Sequence, residues 1–369
     1  MAMKLLMLVI FFAIMVSVGI YARKHATSVD GYVLGGRSVG PWLTAFAYGT
    51  SYFSAVVFVG YAGQFGWKYG LASTWIGLGN AIIGSLLAWV VLGRRTKVMT
   101  QHLNSKTMPD FFGERYESKA LKITASAIVF IFLVPYTASV YNGLSRLFGM
   151  AFNIPYKYCV IGMAVFTGIY VILGGYMATA INDFIQGIIM LGGIVAVILA
   201  VLNGQGGFIQ AIKTMAEIPS DVPVTMGQPG AFTSFFGPDS LNLLGVVILT
   251  SLGTWGLPQM VHKFYAVKDE AAIKKGTIIS TLFAFIVAGG SYFLGGFDRL
   301  FCTVQGESGK TFIRTLPNGS LEYDAMIPAV LKSALPELLI GLVVVLVLSA
   351  SMSTLSSLVL TSSSTLTVD

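Results

Sequence analysis

VGPWLTAFAYGTSYFSAVVFVGYAGQFGW, residues 39–67, runs for 29 positions without a charged side chain. About 20 apolar residues cross the hydrocarbon of a bilayer as an α-helix, so this stretch spans a membrane with residues to spare. It is also interrupted. Gly40, Gly49, Gly60 and Gly63 punctuate it, and Gly49-Thr50-Ser51-Tyr52-Phe53-Ser54 puts glycine, hydroxyls and an aromatic near its middle. Unwinding there frees backbone carbonyls, which is tolerated at membrane depth only where they face protein or water.

Working outward, eight further charge-poor windows have spanning length: Leu5 to Ala22, Tyr69 to Gly93, Ile123 to Ser145, Tyr158 to Asn182, Phe184 to Ile212, Ser240 to His262, Gly276 to Phe297 and Leu338 to Val368. The expectation is nine helices in an all-α polytopic membrane protein. Hydrophobic residues make up 55% and charged residues 11% of the chain, a balance that leaves lipid as the solvent. Leu5 to Ala22 is long for a signal-peptide core and Arg23 and Lys24 follow it, so it reads as a retained span. The net charge of +7 does not point to nucleic acid, because the cations sit in short loops between apolar runs. Arg23, Lys24 and Arg37, then Arg94, Arg95, Lys97, Lys106, Arg115, Lys119 and Lys122, then Lys263, Lys268, Lys274 and Lys275 share one side if the spans alternate. That side is expected to be the cytoplasm of a cell membrane, plasma or bacterial inner, with the N-terminus outside and Asp369 inside.

The seventh span, with Gly245, Gly253, Gly256 and Pro258, repeats the interruption of the second, five helices later. Glycine can serve close helix packing alone. Matched broken helices in two halves of opposite topology are, however, what inverted-repeat transporters place at their substrate site. On this reading 5–22 is an extra helix, 39–212 a first five-helix repeat and 240–369 three helices of a second. A complete second repeat takes about 60 or more further residues, so Asp369 is expected to be a truncation point after the eighth core helix.

The ninth span carries Ser349, Ser351, Ser353, Thr354, Ser356 and Ser357, and Ala350, Ser353, Thr354 and Ser357 share one face. Hydroxyl oxygens suit a hard cation such as sodium, and carbonyls freed in the second span would complete an oxygen cage without a carboxylate. The alternative is that these hydroxyls bond back to their own helix. Asp183, between two apolar runs, is either an N-cap opening the sixth span near the cytoplasmic face or a functional intramembrane acid. His25, His102 and His262 fall in cytoplasmic loops or at a helix end, and with Cys159 and Cys302 they make no metal-ligand spacing. There is no Walker loop, nucleophile elbow or paired intramembrane carboxylate, so an enzyme is not expected. A channel would show a ring of like charges or a repeated filter, and neither occurs.

Tyr32-Val-Leu-Gly-Gly-Arg-Ser-Val-Gly-Pro-Trp42 resembles the opening signature of the sodium:solute symporters. Gly174 to Ala178 with Asn182 to Gly187, Pro258 to Phe264, and Ala350 to Ser357 are similar to that family's fifth, sixth and eighth core helices, in order along nearly the whole chain. The resemblance implies a five-plus-five LeuT-like fold and alternating access. It implies a sodium site made by the carbonyls of Thr50, Phe53 and Ala350 and the hydroxyls of Ser353 and Thr354. It assigns Asp183 to sodium exit or a second sodium, although Ala350 stands where some two-sodium members have serine. Arg37 matches an arginine at the cytoplasmic mouth, or is a snorkelling interfacial cation. Tyr52, Asn80, Tyr136, Thr254 and Trp255 are candidates to line the solute site, Tyr136 and Trp255 being equally suited to packing. An amino acid or monocarboxylate held by helix ends is the first expectation for the solute and a sugar the second. A channel or a solute sensor on the same scaffold is the competing class. The expected partners are sodium, the solute and lipid, with no obligatory protein partner.

Overall fold

The computed structural model describes residues 2–152, 154–306 and 308–369. Ten helical segments carry the architecture: α1 (Ala2–Ala22), α2 (Pro41–Tyr52), α3 (Ala62–Tyr69), α4 (residues 74–102, with π-helical turns at Asn80–Leu87 and Trp89–Gly93), α5 (Lys119–Phe152), α6 (Tyr156–Gly204), α7 (Ser240–Gly253), α8 (Pro258–Ala266), α9 (Glu270–Gly295) and α10 (Glu337–Val368). Local chemistry sets several starts. Pro41 and Pro258 take first-turn positions that need no N–H donor, and Asp269 caps α9 by accepting from the Ala272 N–H at 2.7 Å. A two-residue parallel pairing of Cys302–Thr303 with Thr311–Phe312 is the sheet among the described residues.

Six helices are long and apolar enough to cross a membrane among the described residues, and the pair Ser240–Gly256 and Pro258–Ala266, bent by 52°, makes a seventh if it is counted as one span. Two of the six, Val56–His102 and Lys157–Gly204, have 47 and 48 residues, enough for about 70 Å each at the α-helical rise, twice the bilayer core. Each breaks at a glycine with positive φ. At Gly70 φ is 59°, and at Gly175 φ is 52° with ψ −142°, a conformation open to glycine and closed to side-chain-bearing residues.

The break at Gly175 corrects the expected boundary between the fifth and sixth spans. Asp183 lies eight residues inside the helix and caps nothing, because the turn is made where backbone freedom exists, not where a capping side chain does. The seventh span also runs past its expected end at His262, α8 continuing to Ala266. Two cations assigned to cytoplasmic loops are buried: Lys97 donates to the Val267 carbonyl, and Lys263 lies inside α8 with 1% exposure.

In the assembled bundle α10 packs against α6, α5 and α1, while α9 packs against α2, α3 and α4. α2 lies between these two groups, touching α6, α9 and α10.

Candidate functional site

The break in α2 is the centre of the site. α2 ends at Tyr52, and Phe53 and Ser54 leave helical geometry, Phe53 at φ −101° and ψ 105°. Ser54 starts the helix again as an N-cap does. Its hydroxyl accepts from the Val56 N–H at 3.2 Å and its carbonyl from the Val57 and Phe58 N–H groups at 3.0 and 3.1 Å. Close neighbours require small residues here: a Cβ on Gly49 would stand 2.5 Å from the Phe283 ring, and one on Gly143 of α5 would stand 3.0 Å from the Ala55 backbone.

The hydroxyl face of α10 meets the end of α2. Ser353 Oγ donates to the carbonyls of Thr50 and Ala350, both at 3.1 Å, and Thr354 Oγ1 to those of Ser51 at 3.4 Å and Ala350 at 3.1 Å. All these residues are buried. A hydroxyl has one proton, so two protons are shared among three carbonyls, and the cluster is rich in oxygen lone pairs and poor in hydrogen. Bonding back to the parent helix is therefore present, and so is contact across to α2. The Phe53 N–H donates to the Gly49 carbonyl at 3.3 Å, and beside the carbonyl of Thr50 that of Ser51, which the sequence did not single out, also meets α10.

Asp183 has no solvent exposure and faces protein. Its Oδ2 is 3.6 Å from Lys263 Nζ, an ion pair longer than a hydrogen bond. Lys263 Nζ also donates to Ser357 Oγ at 2.9 Å, and Ser357 Oγ lies 2.9 Å from Ser51 Oγ. Sequence reading missed Lys263. The signal was available in the apolar run Phe264-Tyr265-Ala266-Val267, which carries the helix past His262 and buries the lysine before it.

On the other side of the break lies a cavity of about 310 Å³. Tyr52, Asn80, Tyr136 and Thr254 line it, with Ser54 and Tyr292. Asn80 Oδ1 accepts from Thr250 and Ser251, each at 3.1 Å, and Tyr52 donates to the Thr250 carbonyl at 3.1 Å. Trp255 is not part of the lining, because its indole N–H donates to the Ile83 carbonyl at 2.9 Å and locks the ring between α7 and α4. No charged side chain lines this cavity among the described residues. Val56, Tyr61 and Ser139 are shared with a second cavity of about 340 Å³ beneath residues 316–324. There Glu322 accepts from Arg146 at 2.6 Å and from Arg314 at 3.2 Å, and Asn142 donates to Asp324 at 3.1 Å.

The opposite end is closed by Arg37. It is half-buried and left-handed at φ 52°, and its guanidinium donates to the carbonyls of Ser105 at 2.7 Å and of Thr100 and Tyr265 at 3.4 Å. Burial lowers its pKa, while Asp30 opposes that shift. It is thus a fastener between the α1–α2 connection, the end of α4 and α8, not a snorkelling cation.

A polytopic bundle with a broken helix at its centre, acceptor-rich oxygens at the break and a cavity beside it is the arrangement of a membrane transporter. Comparison makes this specific. The chain belongs to the sodium:solute symporter family, whose sequence profile matches residues 32–369. The sodium/proline symporter of Staphylococcus aureus (strain JH9) is 31% identical over 376 residues, covering 99% of this chain and 67% of that protein, and the same symporter of strain JH1 matches equally. A Na⁺-coupled sialic acid symporter solved in a substrate-bound outward-open state superposes with a TM-score of 0.75 at 18% identity, over 98% of this chain and 72% of that one. At that identity the likeness is one of fold. The protein is a transporter and not an enzyme.

Proposed function

We propose that this protein couples the entry of sodium to that of a small zwitterionic or monoanionic solute, an amino acid or monocarboxylate, by alternating access. The observation that carries the reading is the oxygen cluster of Thr50, Ser51, Ala350, Ser353 and Thr354, in which three carbonyls compete for two hydroxyl protons. A cation entering there satisfies lone pairs that hydrogen cannot, and the hydroxyl protons are free to turn outward. Phe53 completes the set if its carbonyl turns toward the ion.

The solute belongs in the cavity beside the break, where Tyr52, Tyr136 and Tyr292 give apolar faces and Ser54, Asn80 and Thr254 neutral polar edges. With no charged group in that lining, a carboxylate is best held by the sodium and the helix ends around residues 53–55. Relatedness to a sodium/proline symporter favours the same solute class. The chain is read as nine crossings on the five-plus-five plan, N-terminus outside, which places the cavity beneath residues 316–324 on the outer face and Arg37 on the inner. For a zwitterionic solute, one sodium contributes about 2.3 kcal/mol at about 100 mV and a tenfold gradient about 1.4 more, enough for roughly a few-hundred-fold accumulation. Symport of a monoanion with one sodium moves no net charge and is driven by the gradient alone, to roughly tenfold.

The test is uptake into proteoliposomes under an imposed sodium gradient, with proline, other amino acids, lactate and glucose as competing solutes. Saturable, sodium-dependent accumulation of an amino acid or monocarboxylate is the expected result. Accumulation of sugar alone would overturn the solute class, and flux down a gradient without sodium dependence would overturn symport.

A further inference from the structure

Deep in the inner half of the bundle, Asp183 of α6, Lys263 of α8, Ser357 of α10 and Ser51 of α2 form one line of polar groups from four helices, all buried. Its first step has a direction fixed by chemistry. An ammonium only donates, so Ser357 Oγ accepts from Lys263, and Ser357 and Ser51 then share a hydroxyl–hydroxyl hydrogen bond at 2.9 Å in which either can donate. The Ser51 carbonyl in turn accepts from Thr354, which belongs to the proposed sodium cluster. The positive charge of Lys263 is therefore connected to the end of α2 through one hydroxyl, and Asp183 is the carboxylate that neutralises it.

Neither Asp183 oxygen has a hydrogen-bond partner among the described residues, and the ammonium sits 3.6 Å away. A carboxylate so buried demands a cation, and here the chain supplies its own. Tyr176 adds its ring face, 5.2 Å from the ammonium.

We infer that Lys263 is a tethered cation: it occupies the Asp183 position in place of a second sodium, so that one sodium is carried per cycle, and with Asp183 it sets the charge felt at the α2–α10 oxygens. Lys263 is a positioning residue that touches no solute. The inference rests on the sodium reading of the α2–α10 cluster.

The experiment is equilibrium binding of radiolabelled sodium to the purified protein, with thermal unfolding measured with and without sodium. Wild type is expected to bind one sodium per chain. Lys263→Met exposes Asp183 and should bind a second sodium, with unfolding that depends more steeply on sodium concentration. Asp183→Asn leaves the ammonium unpaired and should weaken sodium binding about tenfold or more by charge repulsion at low effective dielectric. The double variant Asp183→Asn with Lys263→Met removes both charges, an exchange that buried pairs commonly tolerate, and should return to one sodium with affinity within about threefold of wild type. Should Lys263→Met fail to fold, Asp183→Asn against the double variant still decides the matter. Two sodium ions on wild type, or equal affinity in Asp183→Asn and the double variant, would overturn the inference. Ser353→Ala separates the two levels: if it leaves sodium affinity unchanged, the sodium cluster itself is misassigned; if it weakens binding while the pair variants do not, the tethered cation alone is wrong.

Discussion

Gly66→Ala tests how the cavity wall is built. Gly66 of α3 faces Gly295 of α9, and a methyl on Gly66 would stand 2.1 Å from the Gly295 carbonyl oxygen and 2.2 Å from its carbon. The reverse contact is as close, a Cβ on Gly295 meeting the Ala62 oxygen at 2.1 Å. These are backbone atoms of helices and cannot swing aside. Ordinary contact begins at 3.4 Å, so the helices must part by about 1.3 Å at that point (3.4 less 2.1). A radial gap near 1 Å forfeits a quarter to a half of each dispersion contact along the seam, and the expected cost is about 1–3 kcal/mol, or several degrees in unfolding temperature. Tyr292 lies one turn before Gly295 and Tyr61 immediately before α3, and both line the cavity, so solute KM should rise as well. Thermal unfolding in detergent, paired with uptake kinetics, measures both effects. Gly192→Ala is the control, since a Cβ there meets nothing within 4 Å and should be neutral or stabilising by up to about 1 kcal/mol. If Gly66→Ala is as stable as Gly192→Ala, the backbone contact between α3 and α9 is wrong.

Three further outcomes are expected. Trp255→Phe removes the hydrogen bond to Ile83 and should cost about 1 kcal/mol of stability while leaving solute KM unchanged; a KM shift beyond threefold would return Trp255 to the solute site. Glu322→Gln leaves Arg146 and Arg314 facing a neutral amide, and because both arginines are partly exposed the effect on solute entry should be under about tenfold and should shrink as salt is raised; an effect insensitive to salt would contradict an electrostatic role. Arg37→Gln should loosen the end of the bundle that the proposed orientation puts inside, so that a cysteine placed at the buried Ser105 becomes open to a thiol reagent; continued protection would show that other contacts hold that end.

Composition and window length made the membrane class legible, and the glycine-hydroxyl stretch of residues 49–54 marked where α2 opens. The shared face of Ala350, Ser353, Thr354 and Ser357 followed from helical spacing, and the hydroxyls of Ser353, Thr354 and Ser357 reach α2. Other features were hidden because charge is a poor guide to depth. Lys263 and Lys97 read as loop cations, since a charge ordinarily closes an apolar run, whereas the protein buries each against a specific oxygen or carboxylate. The break falls at Gly175 and not at Asp183 because the turn needs the backbone freedom of the glycine pair, to which the more conspicuous charge is no guide. That the Ser51 carbonyl faces α10 depends on how far the α2 backbone turns at its end, which no spacing rule encodes.

The most direct test of the central claim is sodium affinity in Ser353→Ala with Thr354→Ala, measured by radiolabelled sodium binding to the purified protein. The account predicts that removing two of the clustered oxygens weakens sodium binding by tenfold or more while the fold, judged by thermal unfolding without sodium, stays within about 1–2 kcal/mol of wild type. Unchanged sodium affinity in a folded double variant would contradict it, and the coupling ion would have to bind elsewhere in the bundle.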